Sequence, residues 1–323
     1  MSVCWEPCPG GARVLRVLGD SPCPAVPACV EGMAVVEIGP YCFADKPIMA
    51  GAHRTGSDTH EITGSFVEEV TLPDTVRVLH SAAFYNCRKL RRISLGAAVE
   101  SLGSDLFTNC RCLQVFRLRT APDAATGLKK LLGAVSADIT VELDGARLFY
   151  PEYSEFLDEN TPAHIFNHSI EGEGYRMRQC FTPGGAVDFA AFDASFLQAC
   201  VGESEDTLCR LALGRLVQPF ALGEDARADY ELYLTAHPAP AFRLAIDTRD
   251  EAALRLLALC RNGNMRPTQV KEGKIELLAE KDGLFRVDVE RLNAVNDEDA
   301  RALGEGHRRR GRGRLVSIVA LEA

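Results

Sequence analysis

Six side chains stand at spacings that could hold a metal ion: His164 and His168, and Cys4, Cys8, Cys23 and Cys29. Residues four apart on a helix share a face, so His164-Ile-Phe-Asn-His168 could offer two imidazoles to zinc, but no cysteine pair with ligand spacing lies near it in sequence. Cys4-x3-Cys8 and Cys23-x5-Cys29 could form a four-thiolate knuckle around the turn-rich Pro9-Gly10-Gly11. Neither has the usual two-residue spacing, and plain thiols are the simpler expectation. Nucleophilic catalysis would need a serine or cysteine beside a base, and the sequence holds no G-x-S-x-G, no H-E-x-x-H and no P-loop. The glycines of Thr182-Pro-Gly-Gly185 suit a turn, not a phosphate cradle. We expect no catalytic residues, no metal and no cofactor.

The run Arg308-Arg-Arg-Gly-Arg-Gly-Arg314 could touch RNA, anionic lipid or an acidic protein surface, although a solvated tail is the simpler reading. The apolar stretch after it, Leu315-Val-Ser-Ile-Val-Ala-Leu321, is too short to span a bilayer and could add a strand to a sheet edge or dock on helices. Residues 144 to 300 carry 28 acidic and 16 basic side chains, a net charge of −12, whereas Val67 to Arg119 carry eight basic against five acidic. A protein whose body grips phosphates shows a basic face over its main domain, so nucleic acid is an unlikely partner of the body.

The elements that must position any site come from a chain of 323 residues, 46% apolar and 25% charged, which is ordinary globular composition and long enough for two domains. No stretch approaches the apolar length of a membrane span, and Met1 to Gly10 has no basic region followed by an apolar run, so the expectation is a soluble chain not exported by the usual signal route. In that setting the twelve cysteines read as reduced thiols, several at apolar positions, and a cytoplasmic location follows as an expectation.

An internal repeat decides the fold. Val67-Glu-Glu-Val-Thr-Leu72, Leu90-Arg-Arg-Ile-Ser-Leu95 and Leu113-Gln-Val-Phe-Arg-Leu118 recur every 23 residues, each apolar at its first, fourth and sixth places. Val76 and Leu79 return as Val99 and Leu102, Phe84 as Phe107, and Asn86-Cys87 as Asn109-Cys110. The L-x-x-L-x-L element predicts a short strand with alternate side chains inward, and Leu79 to Asn86 a turn or half-helix that brings the chain back over the core. Leu72, Phe84, Cys87, Leu95, Phe107, Cys110 and Leu118 then form the repeat core. Asn86 and Asn109 are expected to hydrogen-bond the backbone where it turns. Ile38-Gly-Pro-Tyr-Cys-Phe43 matches Leu79 to Phe84 at an offset of 41, one period plus an 18-residue insertion placed in the polar stretch Gly51 to His60. Ile139 and Val141 fall 23 after Phe116 and Leu118, so a last strand is expected to close the array near Leu143.

The units from Val76 to Leu95 and from Val99 to Leu118 closely resemble the BspA-type (Treponema-type) bacterial leucine-rich repeat, and the opener Val26 to Phe43 looks like that family's first unit. The resemblance covers residues 26 to 119. It implies a solenoid, a bacterial origin and a binding rather than catalytic role. Well-known members are exported adhesins, a role the reading of the N-terminus disfavours.

The whole chain is expected to be α+β. Its parts are a leucine-rich-repeat domain over 1–143, a connector with short strands over 144–187, a helical domain over 188–300 and a basic tail over 301–323. Within the helical part, Phe189 to Cys200 and Leu208 to Val217 predict two helices, the second stopped at Gln218-Pro219. Further helices are predicted at 226–236, 239–246, 251–260, 270–281 and 284–294, with Leu244-Ala245 echoed 34 residues later as Leu278-Ala279, a weakly ankyrin-like pairing. Strand alternation points Glu69, Arg92 and Val115 outward in one row and Thr71, Ser94 and Arg117 in the next. These six are the expected protein-binding residues, with Arg92 and Arg117 directed at an acidic surface on a partner or on this chain's own helical half. The favoured function is a non-catalytic protein-interaction scaffold of unknown partner. A basic-tailed adaptor for nucleic acid or anionic membrane is the alternative.

Overall fold

The computed structural model describes residues 1–46, 52–160, 165–261, 264–265, 274–279 and 283–288. It divides into two compact units, Met1–Asp229 and Tyr230–Ala323.

The first unit opens with an antiparallel hairpin, β1 (Ser2–Cys8) and β2 (Gly11–Leu18), which turns at Gly10 with φ +87°. In β2 burial alternates from Gly11 to Arg16 and then runs on, with Ala12, Val14, Val17 and Leu18 buried. Short strands β3 (Cys29–Val30) and β4 (Met33–Ile38) follow, and β4 lies parallel to β2. The expected insertion contributes β5 (His53–Arg54), which pairs with β1 and stacks His53 on the buried Trp5 at 5.0 Å. The fully buried Arg16 ties down the turn that leads toward the insertion, donating to the carbonyls of Ala44, at 2.6 Å, and Lys46.

The repeats then alternate between two ladders. Strands β6 (Glu69–Thr71), β8 (Arg92–Leu95), β10 (Val115–Leu118) and β11 (Ile139–Leu143) stack in parallel, one per turn. On the other side, β4, β7 (Val78–Leu79) and β9 (Ser101–Leu102) form a second parallel ladder that continues the N-terminal hairpin. The sequence expectation of one ladder backed by a turn or half-helix is therefore corrected. Val78–Leu79 and Ser101–Leu102 are extended, and the turn is confined to the following residues. The reason is that parallel strands satisfy their backbone groups only against the next turn, so even a two-residue segment pairs once its neighbour is in place.

The rest of the repeat register holds. Ile38 pairs with Leu79 and Leu79 with Leu102, so the 41-residue offset is a true repeat. Phe43, Phe84 and Phe107 stack along the interior, with centroids 5.1 and 5.7 Å apart, and Leu72, Cys87, Leu95 and Leu118 are buried beside them. The Cys87 thiol donates to the Phe43 carbonyl at 3.2 Å and the Cys110 thiol to the Phe84 carbonyl at 3.0 Å. Each corner holds a left-handed residue at equivalent places: Tyr41, Ala82 and Asp105, then Asn86 and Asn109. Asparagine tolerates this conformation better than most L-residues. Its side chains do not cap the turn backbone as expected; Asn109 Nδ2 donates instead to Asn86 Oδ1 at 2.8 Å, joining one turn to the next.

The helix α1 (Leu128–Gly133) precedes β11, and β12 (Ala146–Tyr150) then folds back antiparallel to β11 across Gly145. The array thus closes with a hairpin one strand beyond Leu143. A second hairpin, β13 (Ser154–Asn160) and β14 (Ile165–Glu171), pairs only with itself among the described residues. His168 is in β14, so the helical spacing behind the zinc reading of His164 and His168 is absent; His164 lies outside the described residues.

After the short helix α2 (Gly174–Met177), Arg178 is buried with its guanidinium donating to the carbonyls of Val135, Ala137, Pro151 and Gly174 and lying over Tyr153 at 5.0 Å. Helices α3 (Phe189–Ala194), α4 (Phe196–Gly202) and α5 (Glu205–Val217) complete this unit. Asp188 and Ser204 cap α3 and α5, and α5 stops before Pro219 as predicted. Arg215 and Asp193 form a buried bidentate pair at 2.6 and 2.9 Å between α5 and α3.

The boundary between the units falls within α6 (Glu224–Ala236). In the second unit, α7 (Pro238–Asp247) and α8 (Glu251–Leu259) match the predicted helices. The chain then changes character, through β15 (Cys260–Arg261) paired with β16 (Asn264–Met265), to an antiparallel pair β17 (Lys274–Ala279) and β18 (Gly283–Asp288). The helices expected at 270–281 and 284–294 are thereby corrected, and the ankyrin-like echo at Leu278-Ala279 falls in a strand. Asp282-Gly283 between two apolar runs rich in Ile, Phe and Val is a hairpin signal that outweighs the helical spacing of the leucines. The basic run Arg308 to Arg314 and the apolar stretch after it lie outside the described residues.

Candidate protein-binding face

The outward side of the β6-β8-β10-β11 ladder carries the six residues singled out in the sequence, in the expected rows. Glu69 stands opposite Arg92, and Arg92 opposite Val115; Thr71 stands opposite Ser94, and Ser94 opposite Arg117. Their neighbours along each strand, Val70, Ile93, Phe116 and Leu118, are buried, which fixes the exposed set by alternation. Glu69 and Thr71 are exposed and the other four partly so. The rows continue onto β11 with Thr140 and Glu142.

The arginines are already partnered. Arg92 reaches across β10 to Glu142 at 2.6 Å, and Arg117 binds Asp144. Both carboxylates belong to the hairpin that ends the ladder. Arg119, just beyond the row, binds Asp74 at 2.6 Å and also the Leu72 carbonyl at 2.5 Å. With side chains about a third exposed, such pairs contribute little net stability, roughly 0–1 kcal/mol each, and they orient the guanidinium groups more than they hold the fold. At the far end of the face Arg210 of α5 covers Phe149 of β12 at 5.4 Å, so the platform stops there. A shallow hollow of about 480 Å³ lies at that end, lined by Arg117, Glu142, Asp144, Arg147 and Gln218. Two arginines against two carboxylates leave it near neutral.

Glu142, Asp144 and Arg210 were missed by sequence reasoning. Glu142 was reachable by extending the alternation one strand, and Asp144-Gly145 is a hairpin dipeptide; Arg210 left no local signal. Among the described residues no group of three or more His, Cys, Asp or Glu side chains is placed to hold a metal. Cys4 is buried in β1, Cys8 partly buried, and Cys23 and Cys29 exposed. No helix among the described residues is long and apolar enough to cross a membrane.

A second charged cluster lies on the other ladder. Glu37 accepts from Arg13 Nε at 2.7 Å and lies 2.7 Å from His80 Nε2. Burial alone would raise the Glu37 carboxyl, but the hydrogen bonds and charges of His80 and Arg13 outweigh it and hold the group below its ordinary range.

Two stacked parallel ladders with a 23-residue period define a leucine-rich-repeat solenoid. Residues 60–124 match the family described as BspA type leucine rich repeat region (6 copies), and this segment is a repeat region of that type. Among solved structures, the chain is similar to the T. pallidum leucine rich repeat protein at 19% identity, over 39% of this chain and 73% of that one, with a TM-score of 0.24. It is also similar to a leucine rich cell surface protein from Faecalibacterium prausnitzii A2-165 at 17% identity, over 44% of this chain and 41% of that one, with a TM-score of 0.26. No curated protein matches.

Proposed function

We propose that this chain is a non-catalytic protein-interaction scaffold whose binding surface is the outward face of the β6-β8-β10-β11 ladder. The observation that carries the reading is the register itself: Glu69, Thr71, Arg92, Ser94, Val115 and Arg117 form two exposed rows on a frame whose intervening side chains are buried. Such a platform presents polar side chains at fixed spacing with little entropy left to lose, and a partly exposed Val115 at its middle supplies apolar contact. A partner with carboxylates would exchange with Glu142 and Asp144 for the two arginines, so acidic segments are favoured.

Charge reversal at the arginines would set like charges beside Glu142 and Asp144, and the neutral pair Arg92→Gln with Arg117→Gln isolates the loss of contact. Measured by titration calorimetry against a partner identified by pull-down, the double variant is expected to bind at least about tenfold more weakly, or roughly 1.4 kcal/mol. An unchanged affinity in a variant with an unchanged unfolding midpoint would remove the ladder face as the binding site.

A further inference from the structure

Five buried polar side chains cluster where β12 meets the elements that follow it: Tyr150 of β12, Arg178, Cys180, Asp193 of α3 and Arg215 of α5. The Tyr150 ring lies 5.9 Å from the Arg178 guanidinium and 5.3 Å from the Phe192 ring, and Phe192 adjoins Asp193, the residue that Arg215 grips. Burial pushes the Tyr150 hydroxyl up, with Cys180 adding to the effect, while the charges of Arg178 and Arg215 pull it down.

Two donors of this cluster have no hydrogen-bond partner among the described residues, Tyr150 Oη and Arg215 Nη1. Buried polar groups are as a rule paired, because one left unmade bears its full desolvation cost. The recorded acceptors are already engaged. Both Asp193 oxygens accept from Arg215, whose Nη2 also donates to the Phe220 carbonyl. The carbonyls of Val135, Ala137, Pro151 and Gly174 accept from Arg178. A water accepting from both donors would turn its own two protons toward groups that are taken; an anion has no protons to place.

The charges point the same way. Two guanidinium groups stand against one buried carboxylate, and among the described residues no carboxylate is recorded within salt-bridge distance of Arg178. Asp138 acts on Arg178 from farther off, and its Oδ1 accepts from the Glu152 amide at 2.8 Å. A buried cation without a counter-charge is costly, and burial lowers the Arg178 pKa against the pull of Tyr153, Tyr150 and Asp138.

We propose that Tyr150 Oη and Arg215 Nη1 hold a halide ion, chloride in ordinary buffers, which balances the charge of the cluster and fastens β12 to α5. Both groups donate, and the bonds are charge-assisted. The site is separate from the ladder face and stands whether or not that face binds a partner.

Thermal melts of the full chain at constant ionic strength, with chloride replacing the much larger gluconate, test this. A ligand that binds only the folded state raises the midpoint by mass action, so the rise should saturate with chloride. Tyr150→Phe removes only the unpaired hydroxyl. In gluconate this variant should melt at or above the parent, which shows that it folds, and its chloride response should report an affinity at least tenfold weaker. Crystals grown with bromide should show an anomalous peak between Tyr150 Oη and Arg215 Nη1. A midpoint indifferent to chloride, a chloride response undiminished in Tyr150→Phe, a variant already weaker than the parent in gluconate, or a water where bromide is expected would each overturn the proposal.

Discussion

Replacing Phe84 with alanine should be the most damaging single truncation along the aromatic row. The ring is fully buried and stacked on both sides, 5.1 Å from Phe43 at an interplanar angle of 5° and 5.7 Å from Phe107 at 24°. Truncating a buried phenylalanine costs about 3–5 kcal/mol, and aromatic pairs contribute about 0.5–1.5 kcal/mol beyond the buried area. Phe84 loses two such pairs and leaves a gap in the middle of the row, which places it in the upper half of that range. Phe107 retains 8% exposure and has a tilted neighbour in Phe116 at 5.5 Å, so Phe107→Ala belongs in the lower half. Trp5, the chain's one tryptophan, is 2% exposed in the hairpin that begins the solenoid, and its fluorescence reports unfolding of this unit. Urea titrations of both variants should show the difference in midpoint, with the slope watched separately because repeats couple mainly to their neighbours. A loss below about 1 kcal/mol for Phe84→Ala, or a larger loss for Phe107→Ala than for Phe84→Ala, would refute the assigned stacking.

Burial pushes the thiols of Cys42 and Cys110 up to about 12 and that of Cys87 higher still, so iodoacetamide at mildly alkaline pH should label the exposed Cys29 and Cys112 in the folded protein. Peptide mapping that finds native Cys87 labelled as readily would contradict its place in the core. A Cβ at Gly103 would lie 2.1 Å from the Ser81 amide nitrogen, so Gly103→Ala should cost at least about 1–3 kcal/mol, whereas Gly133→Ala, with open space around it, should not lower the thermal midpoint. The depressed Glu37 carboxyl contributes stability that is present above its ordinary value of 4.5 and lost as pH falls through its lower folded value. The advantage of the parent chain over Glu37→Gln, read from urea midpoints, should therefore shrink on acidification below that value; an advantage that grows instead would reverse the assigned shift.

The sequence by itself determined the period, the parallel stacking, the buried row of Phe43, Phe84 and Phe107, and which strand residues face out. These follow from local alternation repeated at a fixed interval, because each turn of a solenoid packs mainly on its neighbours and repeats their pattern. Only the tertiary structure decided what flanks the array at its two ends. The β1–β2 hairpin, the strand drawn from the insertion to pair with β1, and the buried Arg178 fastened to Val135, Ala137, Pro151 and Gly174 occur once each and leave no periodic mark. The same holds for the candidate face. Alternation located Arg92 and Arg117, but their pairing with Glu142 and Asp144, 50 and 27 residues away, depends on how the last hairpin folds back. Helical spacing misled between 274 and 288, where leucines suit either period and strand pairing prevailed. Contacts set by neighbours in the chain are written in its pattern; contacts set by where the chain returns are not.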